Sequence, residues 1–194
     1  MSSVIISGDT SGAITVSAPA VAGTNTLTLL AATATNSVNT LGTAVATTSG
    51  TSIDFTSLPS WIKRITVMFN GVSTNGTSLM QIQIGAGSVT TSGYASNAGY
   101  VSNTSALQAA YTSGFVILNS VTAAFTHNGV ITINLLGSNT WCQSGMMGVQ
   151  SGGNANFFSA GSLALGGTLD RLRITTVNGT DTFDAGTINI LYEG

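Results

Sequence analysis

Residues 171–194 read RLRITTVNGTDTFDAGTINILYEG, two alternating runs separated by Asn178-Gly179. In an extended strand successive side chains point to opposite faces. Leu172 and Ile174 therefore share one face and Arg171 and Arg173 the other, while Ile188, Ile190 and Tyr192 line one face of the second run. Asn-Gly between alternating runs is the strongest short-range hairpin signal, so the stretch predicts strand, turn, strand. It also holds Asp181, Asp184 and Glu193, three of the six acidic residues. It could thus be an acidic site or the closing strands of a fold whose work lies elsewhere.

Working outward, the same period recurs. Ser52–Phe55 is a short run, and Trp61–Phe69 places Ile65, Val67 and Phe69 on one face before Asn70-Gly71 ends it. Leu79–Ile84 alternates between Gly76 and Gly85; Phe115–Leu118 and Val130–Leu135 follow, the latter opened by a predicted type I′ turn at Asn128-Gly129. Only Thr104–Tyr111 suggests a helical turn. The Gly/Ser/Asn-rich stretches 85–103 and 137–162 read as long loops. Roughly seven or eight short strands with turns between them predict an antiparallel sandwich or barrel.

Residues 1–48 differ in texture. They contain no aromatic residue and one charge, Asp9, among runs of Ala, Thr, Ser and Val, with short alternating runs at Ile14–Ser17 and Leu27–Leu29. Small side chains return little burial energy, about 25 cal/mol per Å², against an ordering cost of about 1–2 kcal/mol per residue. The expectation is a linker or an extended N-terminal arm over 1–48, ordered by pairing with other chains or with a partner, and a sandwich domain over 49–194.

Composition narrows the function. Only 5% of residues are charged, against about 25% in ordinary soluble domains, and the mean hydropathy is +0.39. Ser, Thr, Asn and Gly must keep such a surface wet, or other protein must cover it. Four basic residues and a net charge of -2 argue against nucleic acid, which needs clustered Lys or Arg. No run approaches the about 18 apolar residues of a membrane span, so no membrane insertion is expected. The first residues lack the basic and apolar regions of a secretory signal. Cys142 is the sole cysteine, which excludes an intrachain disulfide and suits a reducing cytosol.

Chemistry-bearing residues are few. His127, the one histidine, precedes Asn128-Gly129 and reads as a solvated turn residue. Cys142 beside Trp141 has few candidate bases and reads as a structural thiol. Asp181 and Asp184 would need a shared cleft to act as an acid–base pair and further oxygen ligands to hold a metal. The favoured reading gives Asp181 an Asx contact in the turn and sets Asp184 at the strand entrance. Gly85-Ala86-Gly87 lacks the remainder of a phosphate-binding fingerprint. Asn75-Gly76-Thr77 and Asn178-Gly179-Thr180 match the glycosylation pattern but, with no signal, read as turns. No catalytic residue, metal site or cofactor is expected. Lys63-Arg64 and Arg171-x-Arg173 are the whole basic complement; with Asp54 and Asp170 they make a candidate set of structural ion pairs across strands.

Three segments carry a family likeness. Ile53–Gly76, IDFTSLPSWIKRITVMFNGVSTNG, and Arg171–Glu193 resemble the C-terminal β-sandwich domain of tailed-bacteriophage fibre-like and virion-surface proteins. Residues 7–29, SGDTSGAITVSAPAVAGTNTLTL, look like a segment of phage tail-fibre proteins. The resemblance implies an all-β, antiparallel jelly-roll sandwich of the tumour-necrosis-factor-like kind, preceded by the arm and assembled as a homotrimer. It implies a non-enzymatic virion-surface protein put together in the host cytoplasm. The leading expectation is a short tail fibre or receptor-binding protein for host attachment. The alternative is a capsid decoration (cement) protein that bridges coat subunits. In either case the arm would bind a tail or major capsid protein. Tyr94, Tyr100, Trp141, Phe157 and Phe158 are the candidate contacts to a host glycan or protein, with the core or a trimer interface as their other possible place.

Overall fold

The computed structural model describes residues 3–7, 13–17, 38–123, 125–151 and 153–194. Internal contacts divide the chain into Met1–Asn36 and Ser37–Gly194. In the first unit β1 (Ser3–Ser7) and β2 (Ala13–Ser17) pair antiparallel, Ser3 opposite Ser17 and Ser7 opposite Ala13. The run Ile14–Ser17 thus lies in β2; Leu27–Leu29 falls outside the described residues.

The second unit holds β3 (Asn39–Leu41), β4 (Val45–Ala46), β5 (Ser52–Phe55), β6 (Arg64–Thr74), β7 (Met80–Ala86) and β8 (Ser88–Val89). These are followed by β9 (Ala95–Ser102), β10 (Ala106–Tyr111), β11 (Phe115–Val116), β12 (Thr126–Gly137), β13 (Thr140–Ser151), β14 (Ala155–Ala164), β15 (Arg171–Thr176) and β16 (Phe183–Glu193). No helix occurs among the described residues. A nine-stranded sheet runs β10-β9-β14-β13-β12-β6-β16-β3, with β4 also on β16; a five-stranded sheet runs β11-β7-β15-β5, with β8 on β7. Every pairing is antiparallel.

One apolar cluster joins the two sheets. Ile65, Val67, Ile131, Ile133, Ile188 and Ile190 come from the large sheet, and Ile53, Ile82, Ile84, Leu172 and Ile174 from the small one. Each is an alternate residue of its strand, so one face of each sheet builds a shared core and the architecture is sandwich-like. Residues 39–46, assigned by composition to the arm, pair with β16 as an edge of the large sheet. Their small side chains need no core of their own because the ladder orders them.

The turn chemistry distributes differently from the sequence expectation. Asn128-Gly129 lies inside β12, where the register against β6 shifts between His127 and Gly129, and the Asn128 side-chain oxygen accepts the Gly71 N–H at 2.6 Å. Asn70-Gly71 likewise does not end its strand, which continues to Thr74 with Gly71 at φ +64°. Asn-Gly thus serves strand irregularities as well as turns: Gly71 takes a positive φ inside its strand, whereas Gly129 does not and sits where a Cβ would meet Met146 O at 2.3 Å. The two-residue turn sits instead at Ser138-Asn139, both at positive φ between the paired residues Gly137 and Thr140. Asn178-Gly179 is a turn, with Gly179 N–H donating to Thr176 O at 3.0 Å, yet it links strands of different sheets rather than a hairpin. Thr104–Tyr111 contains strand β10, not a helical turn, and the expected long loops contain β8, β9, β13 and β14.

Candidate functional site

The acidic stretch is spent on architecture. Asp181 accepts the Ser78 N–H at 2.9 Å and the Asn178 side-chain N–H at 2.7 Å. The Asx contact belongs to Asn178, whose oxygen accepts the N–H groups of Thr180 and Asp181 at 3.0 and 3.2 Å, rather than to Asp181. Asn75 accepts the Thr182 N–H at 2.9 Å, so the two Asn-Gly-Thr loops brace one another. Asp184 accepts the Ser73 hydroxyl. Among the described residues no three His, Cys, Asp or Glu stand together as a metal cluster.

His127 is 1% exposed, which corrects the solvated-turn reading: in β12 it shares the inner face with Ile131 and Ile133. Its Nδ1 lies 3.2 Å from Val72 O. A carbonyl only accepts, so Nδ1 carries the proton and donates. Nε2 then lies buried without a partner among the described residues, and burial pulls the imidazole pKa down. Cys142 is half-buried and free.

The five aromatic candidates separate. Tyr94, Trp141 and Phe157 are buried, because strand alternation turns Trp141 and Phe157 inward and the core holds Tyr94 against Phe115 at 4.8 Å; these three belong to the core and not to a contact surface. The Tyr94 hydroxyl accepts the Ile84 N–H at 2.8 Å and donates to Thr90 O at 3.0 Å. Burial pushes its pKa up to about 12. Tyr100 and Phe158 do come together, with Leu107 and Gln108, around an open recess of about 270 Å³.

Phe158 also ends an apolar row across the outer face of the large sheet. Phe158, Met146, Val130 and Met68 are successive register partners on β14, β13, β12 and β6. The first three are 41%, 62% and 47% exposed. The Phe158 ring leans across Gly99 of β9, where a Cβ would meet Cζ at 2.5 Å. The adjacent strands β10, β9, β14, β13 and β12 contain no Asp, Glu, Lys or Arg at all.

The outer face of the small sheet is the opposite in character. Register aligns Asp54, Arg173 and Gln83 in one row and Ser52, Thr175 and Gln81 in the next. Arg173 grips Asp54 in a bidentate pair at 2.7 and 3.2 Å. Gln81 and Gln83 point outward but are only 2% and 5% exposed, because the chain at Ser113-Gly114 folds over them. Gln83 donates to Ser113 O at 2.8 Å, the Ser113 hydroxyl donates to Gln81 at 2.9 Å, and Thr175 donates to Thr51 O at 2.8 Å. Together these groups floor a groove of about 350 Å³.

The other charged candidates have structural places. Arg171 pairs with its neighbour Asp170 at 2.7 Å, and this holds the Asp170 carboxyl below the ordinary range. Arg64 pairs across the β6–β16 ladder with Glu193, a partner that sequence reasoning missed because the register was not yet known. Lys63 makes no ion pair among the described residues; its backbone bonds Glu193 O and Leu135 N–H. Compared with known protein families, curated proteins and solved structures, the chain matches none. Its class is therefore defined by its own geometry: an all-β, sandwich-like unit with an exposed apolar row on a charge-free flank of one sheet and a polar groove on the other.

Proposed function

We propose that this chain is a non-enzymatic bacteriophage virion-surface protein, a homotrimer that serves as a short tail fibre or receptor-binding protein in host attachment. The observation that carries the reading is the charge-free flank of the large sheet with its exposed row Phe158, Met146 and Val130. A contiguous apolar surface rimmed by polar residues is the mark of a protein interface. Assembly by threefold association explains why a protein can carry so few charges. The likeness of Ile53–Gly76 and Arg171–Glu193 to phage fibre-like proteins supplies the biological setting. Those segments form β5, β6, β15 and β16, strands of both sheets. We further propose the jelly-roll, tumour-necrosis-factor-like form of the sandwich; the pairing of the last strand with β3 and β4 favours it. The N-terminal unit is the attachment arm to a tail or capsid protein, and assembly takes place in the host cytoplasm.

Gold-labelled antibody against the chain should mark the tail of the phage that carries it, and purified chain should block adsorption. Label over the head at many sites, with no block, would overturn the attachment role in favour of capsid decoration. Sedimentation of the purified chain should give a trimer.

A further inference from the structure

We propose that the groove on the outer face of the five-stranded sheet is a binding site for an uncharged saccharide. Outward side chains of a two-sheet structure are ordinarily solvated. Here Gln81 and Gln83 face outward and are nonetheless almost wholly buried in the groove floor. Their amides are held in place by Ser113, Thr176 and one another's neighbours before any ligand arrives, so little rotamer freedom remains to be lost on binding. The inventory of free valences is mixed. Each side-chain amide has a second N–H beyond the one already used, and the hydroxyls of Ser113 and Thr175, whose protons are engaged, still accept. Interspersed donors and acceptors suit the hydroxyls of a sugar, each of which both donates and accepts.

Charge selects within that class. Arg173 is the one charged group lining the groove among the described residues, and Asp54 already holds it bidentate. An acidic ligand would have to displace that carboxylate, whereas a neutral one need not. The volume of about 350 Å³ lies at the lower end of small-molecule sites, which span about 300–1,000 Å³, and suits a terminal sugar. As the host-contact site of an attachment protein the groove rests on the function proposed above; its chemistry does not depend on it.

Saturation-transfer NMR on the full chain tests this with galactose, glucose and N-acetylglucosamine against sialic and glucuronic acids. A neutral sugar should give the signal. Gln83→Ala should weaken its binding by about tenfold or more, as expected for the loss of one or two hydrogen bonds. Thr91→Trp, at the exposed rim and outside the core, should abolish it by filling the groove, which keeps the test decisive if Gln83→Ala loosens the fold. Met146→Asp, on the other sheet, should leave it unchanged. Binding of none of the neutral sugars, binding of the acidic ones alone, or full affinity in Thr91→Trp would overturn the proposal. A chain that binds sugar but decorates the head sinks the attachment role alone. One that blocks adsorption but binds no neutral sugar sinks the groove alone.

Discussion

Asp181 stands at the centre of the loop bracing, and its carboxylate occupies the space beside Gly76. A Cβ built on Gly76 would overlap that carboxylate, so Gly76→Ala must push Asp181 off the Ser78 N–H. Because that side chain can swing away, the cost should be that of the hydrogen bonds it gives up, about 1 kcal/mol, and a thermal melt should show a lower Tm with the far-ultraviolet spectrum retained. His127 makes a second residue-scale prediction. Its folded pKa is lowered by burial, whereas in the unfolded chain the ring takes a proton near pH ~6.5. The unfolded state therefore binds more protons below that value, and stability falls as the pH drops from about 6.5 toward the lower folded value. Urea midpoints measured at several pH values should be flat above neutrality and decline below it; a flat profile through pH ~5.5 would refute this. Tyr94 mirrors it at the alkaline side. Its pKa of about 12 in the fold exceeds the unfolded value of about 10, so the stability that the neutral phenol supplies is lost as the pH rises above ~10.

At the scale of elements, β16 shows what the alternation of apolar residues conveys and what it leaves open. Ile188 and Ile190 face the core as their spacing implies, and so do Ile65, Val67 and Phe69, Ile82 and Ile84, and Leu172 and Ile174. The strands β9, β13 and β14 were not legible because their inner faces carry Ala98, Gly145, Gly161 and Ser159 among the apolar residues. Such faces blur the period-2 signal. Asn-Gly could not separate a turn from a strand irregularity, since Gly71 takes a positive φ without ending its strand and Gly129 is held by close backbone approach rather than by φ. The polar grid was invisible for another reason: Gln83 meets Arg173 only once β7 and β15 are known to be neighbours in a given register. β16 itself is irregular against β6, with register shifts on both sides of Ala185. Gly186 sits there at φ +96°, and a Cβ would meet Gly71 O at 2.5 Å and the Val72 Cα at 2.6 Å. Gly186→Ala should therefore cost more than Gly76→Ala. Its backbone strain alone is worth about 1–3 kcal/mol, and the overlap is with backbone rather than a movable side chain. Paired melts of the two variants check the order.

For the molecule as a whole, the three ion pairs among the described residues are partly exposed, at 19–52% for their side chains, and solvent-screened pairs of this kind contribute little to stability. Stability thus rests on the apolar core between the sheets, and charge is free to act as a discriminator between surfaces. In the proposed trimer the outer face of the large sheet is covered while the grooved face stays open. Met146 lies in the middle of the apolar row and is 62% exposed in the single chain. Met146→Asp should consequently leave the isolated fold intact, since its carboxylate would be solvated there. Burying that carboxylate at a subunit contact costs several kcal/mol, roughly two orders of magnitude or more in association constant. Sedimentation of the variant should show monomer at concentrations where the parent chain is trimeric, with an unchanged strand signature in circular dichroism. Thr91→Asp, which places the same charge beside the groove, should stay trimeric. A trimeric Met146→Asp would mean that the chains meet through some other surface, and the apolar row would then need a different partner to explain its exposure.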